Sequence, residues 1–376
     1  MKKILVCYAS AGEGHKKAAF AVYEALRRLV APDVQVTMVD SLDYTNNFFK
    51  LAYEKIYIFL VKYTPTIWGF FYYMLDTKFF FTLNQPFRVM VNALNTRRLV
   101  DFLNNEKFDI CVSTHFMATE VISRLKREGR LDIKLITVIT DFQSHLFWLS
   151  KGGDAFVVAA DSTKQELISR AIAEDKITVC GIPIEDKFSV EKSKDEIIQK
   201  LKVTRPKFTI LVMGGGYGVG PIKEIVMQLQ GLKQDCQILV VCGRNKNLFK
   251  ELSALKEKFK RPTFIFGFCN NMDEIMYLSD VMISKVGGLS SSESLASELP
   301  IVAISPIPGQ EMRNAKFLLK HNIGFLIKRP NEVDGVVEGL ISDESKFDEI
   351  KQKIAQIAKP KSAQAIANLT LKWIKN

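Results

Sequence analysis

Short runs of apolar residues alternate with amphipathic helical patterns along most of the chain. Apolar positions that recur every three or four residues predict helices, and short continuous apolar runs bounded by turn residues predict buried strands. Regular alternation of the two is typical of parallel sheets that helices cover on both faces. Ten strands are predicted, over residues 3–8, 34–40, 109–114, 134–140, 155–159, 208–213, 237–242, 263–266, 281–284 and 301–304.

The chain of 376 residues is long enough for two domains, each with its own core. The boundary is expected near residues 180–194, where the segment GIPIED gives way to a charged helical pattern. We therefore expect an α/β fold of two doubly wound domains, residues 1–185 and 186–360. Residues 361–376 form a last helical segment, and the pattern leaves open which domain it packs on.

An aromatic segment, residues 48–81, interrupts this regular pattern with fourteen aromatic side chains in thirty-four positions. From residue 56 to residue 75 the only charged side chain is Lys62, so a membrane span is one alternative. Pro65 and the many tyrosines favour helices that lie at a membrane interface instead. A buried helical hairpin is the third alternative. In the interfacial interpretation Trp68, Phe71 and Lys62 contact the membrane.

The charge balance favours an anionic partner. The chain has 52 Lys and Arg against 41 Asp and Glu, a formal charge of +11, and 47% of its residues are apolar, which excludes a disordered chain. Residues 50–100 hold seven of the basic residues and only two acidic ones. Because these basic residues are interleaved with apolar and aromatic ones and no nucleic-acid-binding module is recognisable, an anionic phospholipid surface is favoured over nucleic acid.

Cysteine and histidine usage points away from disulfides and metals. The six cysteines are scattered without a C-x-x-C pair, as expected for reduced thiols in a cytosolic protein. The apolar run at residues 4–8 is too short for a signal peptide and predicts a first strand. No Asp-x-Asp or H-E-x-x-H is present and the four histidines lie far apart, so no metal site is predicted.

Three glycine-rich turns follow predicted strands, where open α/β sheets bind their ligands. The first, residues 10–15, ends at His15, which stands at the start of a predicted helix. An imidazole there is suited to take a proton from a substrate hydroxyl, although a surface histidine near a tight turn is the alternative.

The other two turns are suited to phosphate. Residues 213–221 contain five glycines before Pro221, so that backbone N–H groups and a helix N-terminus are available to an anion. In residues 284–293, Glu293 is a candidate ribose ligand, and its spacing from Ser290 equally fits a capping box. Farther along, residues 306–311 form a rigid turn with an amide and a carboxylate, or a plain loop.

The motifs together resemble the monogalactosyldiacylglycerol synthase and diacylglycerol glucosyltransferase family, relatives of the MurG peptidoglycan glycosyltransferase. The resemblance extends through nearly the whole chain. One departure is Val286, because many members have Lys-Pro-Gly or Ala-Gly-Pro-Gly near this position. The motifs are GEGHKKAA at 12–19, MGGGYGVGPI at 213–222, VCGRNKNL at 241–248, GFCNNMDEIMYLSD at 267–280, KVGGLSSSESLASELP at 285–300 and PGQEMRNA at 308–315.

The resemblance implies a GT-B fold, with two Rossmann-like domains facing a cleft, and transfer of a sugar with inversion, without cofactor or metal. The implied donor is UDP-glucose or UDP-galactose, and the implied acceptor is diacylglycerol in an anionic membrane, reached by a peripheral protein on its cytoplasmic face. Transfer to a polyprenyl-linked acceptor and a non-catalytic nucleotide-sugar or lipid-binding protein remain open.

Residue by residue, the resemblance assigns His15 as the base and Asp141 to the same catalytic site. His145 and Trp148 complete a T-D-x-x-x-H-x-x-W pattern beside the acceptor. Nucleotide-sugar contacts are implied at Gly14, Gly215, Gly216, Arg244, Phe268, Met272, Gly287, Gly288, Glu293, Gln310 and Glu311.

Overall fold

The computed structural model describes residues 1–10, 12–46, 49–51, 56, 59–60, 63–204 and 208–375. The chain forms two compact units. Unit 1 contains Met1–Asp186, Ile307–Gln310 and Lys361–Asn376, and unit 2 contains Lys187–Pro306 and Glu311–Pro360. The chain therefore returns to unit 1 after it has built unit 2.

Unit 1 is built on a six-stranded parallel sheet. Its strands are β1 (Lys2–Tyr8), β2 (Val34–Asp40), β3 (Ile110–Ser113), β4 (Lys134–Val138), β5 (Ala155–Val158) and β6 (Ile177–Val179). They lie in the order β2-β1-β3-β4-β5-β6, so the winding direction reverses between β1 and β3. Ligands of open α/β sheets bind at such a switch point, outside the carboxyl ends of the strands.

Several helices of unit 1 cover this sheet, because each of these presents an apolar stripe to it. In α1, for example, Ala18, Ala19, Val22 and Leu26 are buried against the strands. The helices are α1 (Glu13–Leu29), α2 (Pro65–Leu75), α3 (Lys78–Leu83), α4 (Gln85–Asn95), α5 (Arg97–Glu106), α6 (Phe116–Arg127) and α7 (Asp161–Ser169).

Unit 2 has its own six-stranded parallel sheet, in the order β12-β11-β10-β7-β8-β9. The strands are β7 (Phe208–Met213), β8 (Cys236–Val241), β9 (Thr263–Phe266), β10 (Val281–Ser284), β11 (Ile301–Ile304) and β12 (Gly324–Ile327). Here the switch point lies between β7 and β10.

The remaining helices begin after β6. They are α8 (Lys194–Leu201), α9 (Ile222–Leu229), α10 (Lys246–Ala254), α11 (Met272–Leu278), α12 (Gly288–Ala296), α13 (Gln310–Lys320), α14 (Val333–Ser342), α15 (Glu344–Ile357) and α16 (Ser362–Lys375). One of the points at which the chain passes between the two units falls at the start of α13, between Gln310 and Glu311.

The last helix, α16, packs on α1 in unit 1. Ile366 is fully buried in one apolar cluster with Val22 and Leu26. The Lys134 side chain of β4 also donates a hydrogen bond to the carbonyl of Trp373 at 2.7 Å. The helical segment whose partner the sequence left open thus completes the core of unit 1.

The predicted α/β fold of doubly wound sheets is confirmed. All ten predicted strands are present, with ends that differ by at most two residues. The edge strands β6 and β12 were not predicted, because β6 is only three residues long and β12 begins at a glycine. Short segments of this kind carry too few positions for a period to be recognised.

Candidate active site

The loops that follow β1 and β3 meet at the switch point of unit 1. His15 is the third residue of α1, and Thr114 directly follows β3. Parallel pairing of β1 with β3 brings these two loops to the same edge of the sheet. The structure therefore places the predicted base where α/β proteins bind their ligands.

Two oxygens fix the orientation of the His15 ring. Its Nδ1 lies 2.8 Å from the carbonyl oxygen of Thr114 and 3.1 Å from Oγ1 of Thr140. A carbonyl oxygen only accepts, so Nδ1 carries the proton and Nε2 keeps its lone pair. Nε2 has no hydrogen-bond partner among the residues that the structure describes. This tautomer has the basic nitrogen available to a substrate.

A second histidine lies against the first. The ring centroids of His15 and His115 are 4.7 Å apart, edge to face, and the Trp148 ring is 6.1 Å from His15. Burial lowers the pKa of His15 to about 4, and the hydrogen bond to Thr114 opposes this shift. Burial, and then the nearby His15, lower the pKa of His115 well below its usual value. Both rings are thus neutral at pH 7.

The segment after β4 carries the three residues of the predicted acceptor pattern. Asp141 is half-buried and adjoins Thr140. His145 is buried: its Nε2 donates to the carbonyl of Tyr72 at 3.0 Å, and its Nδ1 accepts from the N–H of Phe147 at 3.2 Å. Trp148 is also buried. Trp148 thus packs beside the His15 ring, and His145 is fixed by its contacts with Tyr72 and Phe147.

Helices α2, α3 and α4 present a continuous series of exposed apolar side chains, here called the apolar face. Spacings of three and four residues put them on one side of each helix. Phe79 is 70% exposed and Phe70 66% exposed. The members are Ile67, Phe70, Phe71, Tyr73, Phe79, Phe80, Leu83, Phe87, Met90 and Leu94.

These exposures decide between two of the alternatives for the aromatic segment. A buried hairpin is wrong for residues 63–81, because Phe71 and its neighbours face outward, whereas Trp68 is half-buried. Much of the earlier part of the segment lies outside the described residues. Over the stretches of chain that the structure describes, no helix is long and apolar enough to cross a membrane. Lys62, predicted to contact the membrane, lies outside the described residues.

In unit 2, the glycine-rich loop after β7 interlocks with the loop after β8. Gly218 and Gly243 both have positive φ, and a Cβ on Gly218 would lie 2.0 Å from the carbonyl oxygen of Cys242. The N–H of Arg244 donates to the carbonyl of Gly216 at 3.0 Å. Pro221 is the N-cap of α9, one position before the first helical position that its residue type predicts. Gly215 and Gly216 are thus held at the unit 2 switch point.

Beside this loop, a cation lies between two aromatic rings. The Arg244 guanidinium is 5.2 Å from the ring centroid of Phe268 and 5.7 Å from that of Tyr217. The three residues follow β8, β9 and β7 respectively, and both rings are exposed. Met272, by contrast, is buried at the start of α11. Flat rings and a guanidinium form a surface suited to stacking.

The loop after β10 leads into the N-terminus of α12. Gly287 caps the helix and Gly288 is its first residue, so the N–H groups of the first turn point toward the switch point. Val286 is fully buried, and its carbonyl accepts a hydrogen bond at 3.0 Å from the amide of the buried Asn314. The valine thus takes part in packing where many members of the family carry other residues.

The capping-box alternative for this helix is wrong. The cap is Gly287, so Ser290 is the third helical residue and Glu293 lies inside α12. The Glu293 side chain is buried despite its charge. A helix-capping role therefore does not account for it.

Gln310 and Glu311 stand together at the start of α13 and are half-buried. They fall on the two sides of the division between the units. Their preceding turn includes Gly309, whose φ of 110° favours glycine.

In the described part of the chain, the cysteines and the clusters of ionisable side chains form no disulfide and no metal site. None of the six cysteines forms a disulfide, and all except Cys269 are buried. Within the described part of the chain, no group of three His, Cys, Asp or Glu side chains is arranged to hold a metal ion.

Two protein-family models match the chain. The monogalactosyldiacylglycerol (MGDG) synthase model matches residues 15–184, and the glycosyltransferase family 28 C-terminal domain model matches residues 209–369. The first half of the chain is thus similar to MGDG synthases, and the second half to the C-terminal domain of family 28 glycosyltransferases. The resemblance predicted from the motifs is confirmed.

Known proteins match this chain over nearly its full length. Processive diacylglycerol beta-glucosyltransferases of Bacillus cereus and Bacillus anthracis are 28% identical to this chain over 372 residues, which is 98% of this chain and 93% of theirs. Among solved structures, MurG of Acinetobacter baumannii aligns with a TM-score of 0.66 at 16% identity, over 99% of this chain and 100% of that one. Staphylococcus aureus MnaA bound to UDP aligns with a TM-score of 0.64 at 14% identity, over 100% and 98%. The fold is the GT-B fold of MurG-like glycosyltransferases.

Sequence reasoning missed the residues that position the predicted base, His15. Thr114 and Thr140 bind the ring of His15, and His115 packs against it. Thr140 begins the T-D-x-x-x-H-x-x-W pattern but was not singled out, and Thr114 and His115 stand in no recognised motif. The only available signal was that each lies at or just after the end of a predicted strand. That position alone is shared by many residues without a role in the site.

Proposed function

We propose that this protein is an inverting glycosyltransferase that moves glucose or galactose from a UDP-sugar to diacylglycerol at a membrane surface, with His15 as general base. The observation that carries the proposal is the tautomer of His15, whose Nε2 is unprotonated at the switch point of unit 1. The match to both family models along the chain supports the reaction class.

In the proposed step, Nε2 of His15 takes the proton of the acceptor hydroxyl as that oxygen attacks the anomeric carbon of the donor sugar. The bond from that carbon to the UDP oxygen breaks, and UDP leaves with the electron pair. Attack opposite to the leaving group inverts the anomeric configuration. A positioned base of this kind contributes about 10²–10⁴ in rate. Asp141, beside Thr140, is proposed to act in the same site.

The donor is proposed to bind unit 2. The N-terminal N–H groups of α12, next to Gly287 and Gly288, and the loop at Gly215 and Gly216 would stabilise the negative charge that develops on the leaving pyrophosphate. Solved structures of similar fold contain UDP or UDP-glucose, in S. aureus MnaA and in Anabaena HepE. We propose that Arg244 and Phe268 contact the uracil base of UDP. Glu293, Gln310 and Glu311 are proposed contacts of the sugars.

The acceptor is proposed to arrive from a membrane through unit 1. Exposed aromatic rings of the apolar face would insert at headgroup level. The nearby Lys78, Arg97 and Arg98 are exposed and would contact anionic lipid. The names of the Bacillus relatives support diacylglycerol as the acceptor. The cytoplasmic face of the cell membrane is the proposed location.

The experiment mixes purified protein with vesicles of phosphatidylglycerol, phosphatidylcholine and diacylglycerol, and with radiolabelled UDP-glucose or UDP-galactose. Transfer predicts label in a chloroform-soluble glycolipid, and NMR of the product reports whether the linkage is inverted. His15→Ala should abolish transfer while UDP affinity changes by no more than a few-fold.

Label that appears only when a polyprenyl-linked sugar replaces diacylglycerol would indicate the MurG-like alternative. UDP binding without any labelled lipid would indicate a non-catalytic binding protein. Normal turnover by folded His15→Ala would refute the assignment of the base.

A further inference from the structure

The aromatic helix α2 ends at a buried carboxylate. Asp76 is the C-terminal cap of α2, and its side chain is only 6% exposed. A buried charge is costly unless it is paired and hydrogen-bonded. Its partners therefore indicate what the site is built to hold.

Partners from other parts of unit 1 hold Asp76. Arg170 donates to both of its oxygens, from Nη1 to Oδ1 at 2.8 Å and from Nη2 to Oδ2 at 3.0 Å. The backbone N–H of Leu146 donates to Oδ1 at 2.8 Å. Bidentate pairs between guanidinium and carboxylate fix geometry as well as charge. The hydrogen bonds that Arg170 donates to Asp76 raise the pKa of Arg170 above its usual value.

The same arginine is braced by a second carboxylate. Glu166 of α7 accepts from Nη2 of Arg170 at 2.9 Å, and its other oxygen accepts from the backbone N–H of Ser144 at 2.9 Å. On the side of α2, His145 donates to the carbonyl of Tyr72. Residues 144–146 are therefore bound through three consecutive positions to α2 and α7.

This bound segment continues directly to the base. Thr140, four residues before Ser144, lies 3.1 Å from Nδ1 of His15, and Trp148 packs 6.1 Å from the His15 ring. Residues 140–148 thus form one short stretch of chain that connects α2 to His15 and has hydrogen bonds to both.

We propose that the Asp76–Arg170 pair is a positioning clamp, which fixes α2 relative to His15 so that an acceptor held along α2 meets the base in reacting geometry. This inference rests on the proposed function. Asp76 and Arg170 touch neither donor nor acceptor in it, and act through Leu146 and the segment that carries Thr140 and Trp148.

The test compares Asp76→Asn, Arg170→Gln, Arg170→Lys and the double variant Asp76→Asn/Arg170→Gln. With diacylglycerol in vesicles, kcat/KM for the acceptor should fall by about ten- to a hundredfold, because a displacement of about 1 Å can cost a reaction that much. UDP affinity should stay within about twofold, since the proposed donor residues lie in unit 2. Arg170→Lys should retain part of the activity, because an ammonium keeps the charge but not the bidentate geometry. The double variant should lose no more than the worse single variant.

Asp154→Asn is the matched control. Asp154 also pairs with a basic side chain, Lys126, and accepts from a backbone N–H, that of Leu135 at 2.6 Å. It directly precedes β5, at the opposite ends of the strands from His15. Its loss should lower the melting temperature without changing acceptor kcat/KM by more than about twofold.

Equal losses of acceptor kcat/KM in Asp154→Asn and Asp76→Asn, at equal melting temperature, would overturn the clamp, as would unchanged kinetics in folded Asp76→Asn. If the wild-type protein transfers no sugar to any acceptor, the proposed function fails separately. The clamp is then judged by amide hydrogen exchange: Asp76→Asn and Arg170→Gln should speed exchange in both 66–76 and 141–149, and Asp154→Asn should not. Unchanged exchange there would overturn it.

Discussion

His15 and Thr114 hold each other through two reciprocal hydrogen bonds. The Thr114 carbonyl accepts from Nδ1 of His15 at 2.8 Å, and the Thr114 hydroxyl donates to the His15 carbonyl at 3.0 Å. The first bond selects the ring tautomer, and the second ties the start of α1 to the end of β3. A neutral carbonyl thereby orients the base without adding a negative charge that would raise its pKa.

The acid limb of the pH–rate profile should therefore lie at a lower pH than for an ordinary histidine base. With a His15 pKa of about 4, the acid limb of kcat/KM should fall near pH 4 and not near the usual 6.5. Stability changes in the same window: the unfolded chain binds a proton that the folded chain does not, so the free energy of unfolding decreases as pH falls from 6.5 through about 4. Rate profiles and urea titrations between pH 3.5 and 8 measure both. An acid limb at 6.5 would contradict the burial of this ring.

Removing the Thr114 hydroxyl should loosen the base without disturbing the donor site. Thr114→Val deletes the bond to the His15 carbonyl, whereas Thr114→Ser keeps it. We expect kcat to fall about tenfold in the valine variant and to stay near wild type in the serine variant, with UDP affinity unchanged in both. Steady-state kinetics and UDP calorimetry test this. Equal kcat in both variants would show that the hydroxyl has no part in placing His15.

Glu293→Gln should weaken UDP-sugar binding by about 1–3 kcal/mol, the scale for hydrogen bonds to a charged group. The buried position of Glu293 inside α12 makes a capping effect irrelevant to the result. The exposed Glu298, just after the same helix, provides the matched control Glu298→Gln. Titration calorimetry with UDP-glucose and UDP-galactose measures the change. Similar affinities for the two variants would show that Glu293 does not contact the UDP-sugar.

The apolar face should bind vesicles through two separable contributions. Phe70→Ser and Phe79→Ser should each weaken binding at low and moderate salt, by up to about 1.5–3 kcal/mol for a fully inserted ring. Lys78→Glu should weaken it only at low salt, because about 1 kcal/mol per basic residue is screened beyond a Debye length. Phe249→Ser, an exposed ring on unit 2, is the control. Co-sedimentation that is insensitive to the three changes on α2 and α3 would place the membrane contact elsewhere.

Ile366→Ala in α16 should destabilise unit 1 by about 2–5 kcal/mol, the cost of a cavity at a fully buried isoleucine. The exposed Asn368 on the same helix provides the control Asn368→Ala. UDP affinity should be preserved in both variants. Thermal unfolding and UDP titration test these expectations, and a melting temperature that falls equally in both would argue against the packing of α16 on α1.

Features that depend on neighbouring residues were predictable from the sequence. The ten strands follow from local apolar runs, and His15 follows from the glycine turn before it. The partners that orient His15 were not predictable, because Thr114 is 99 residues away and no local period records that distance. Asp76 and Arg170, 94 residues apart, escaped notice for the same reason. The exposure of the apolar face also had to come from the structure, since a buried hairpin has the same composition.

The placement of α16 has a consequence for synthesis. Chains emerge from the ribosome from the N-terminus, and domains generally fold as they emerge. β1 and α1 of unit 1 appear first, yet the residues that cover α1 follow all of unit 2 in the chain. During translation, Val22 and Leu26 stay uncovered on that side until residues 362–375 are released. Unit 2 is therefore the part of this protein that can mature while the chain is still being made.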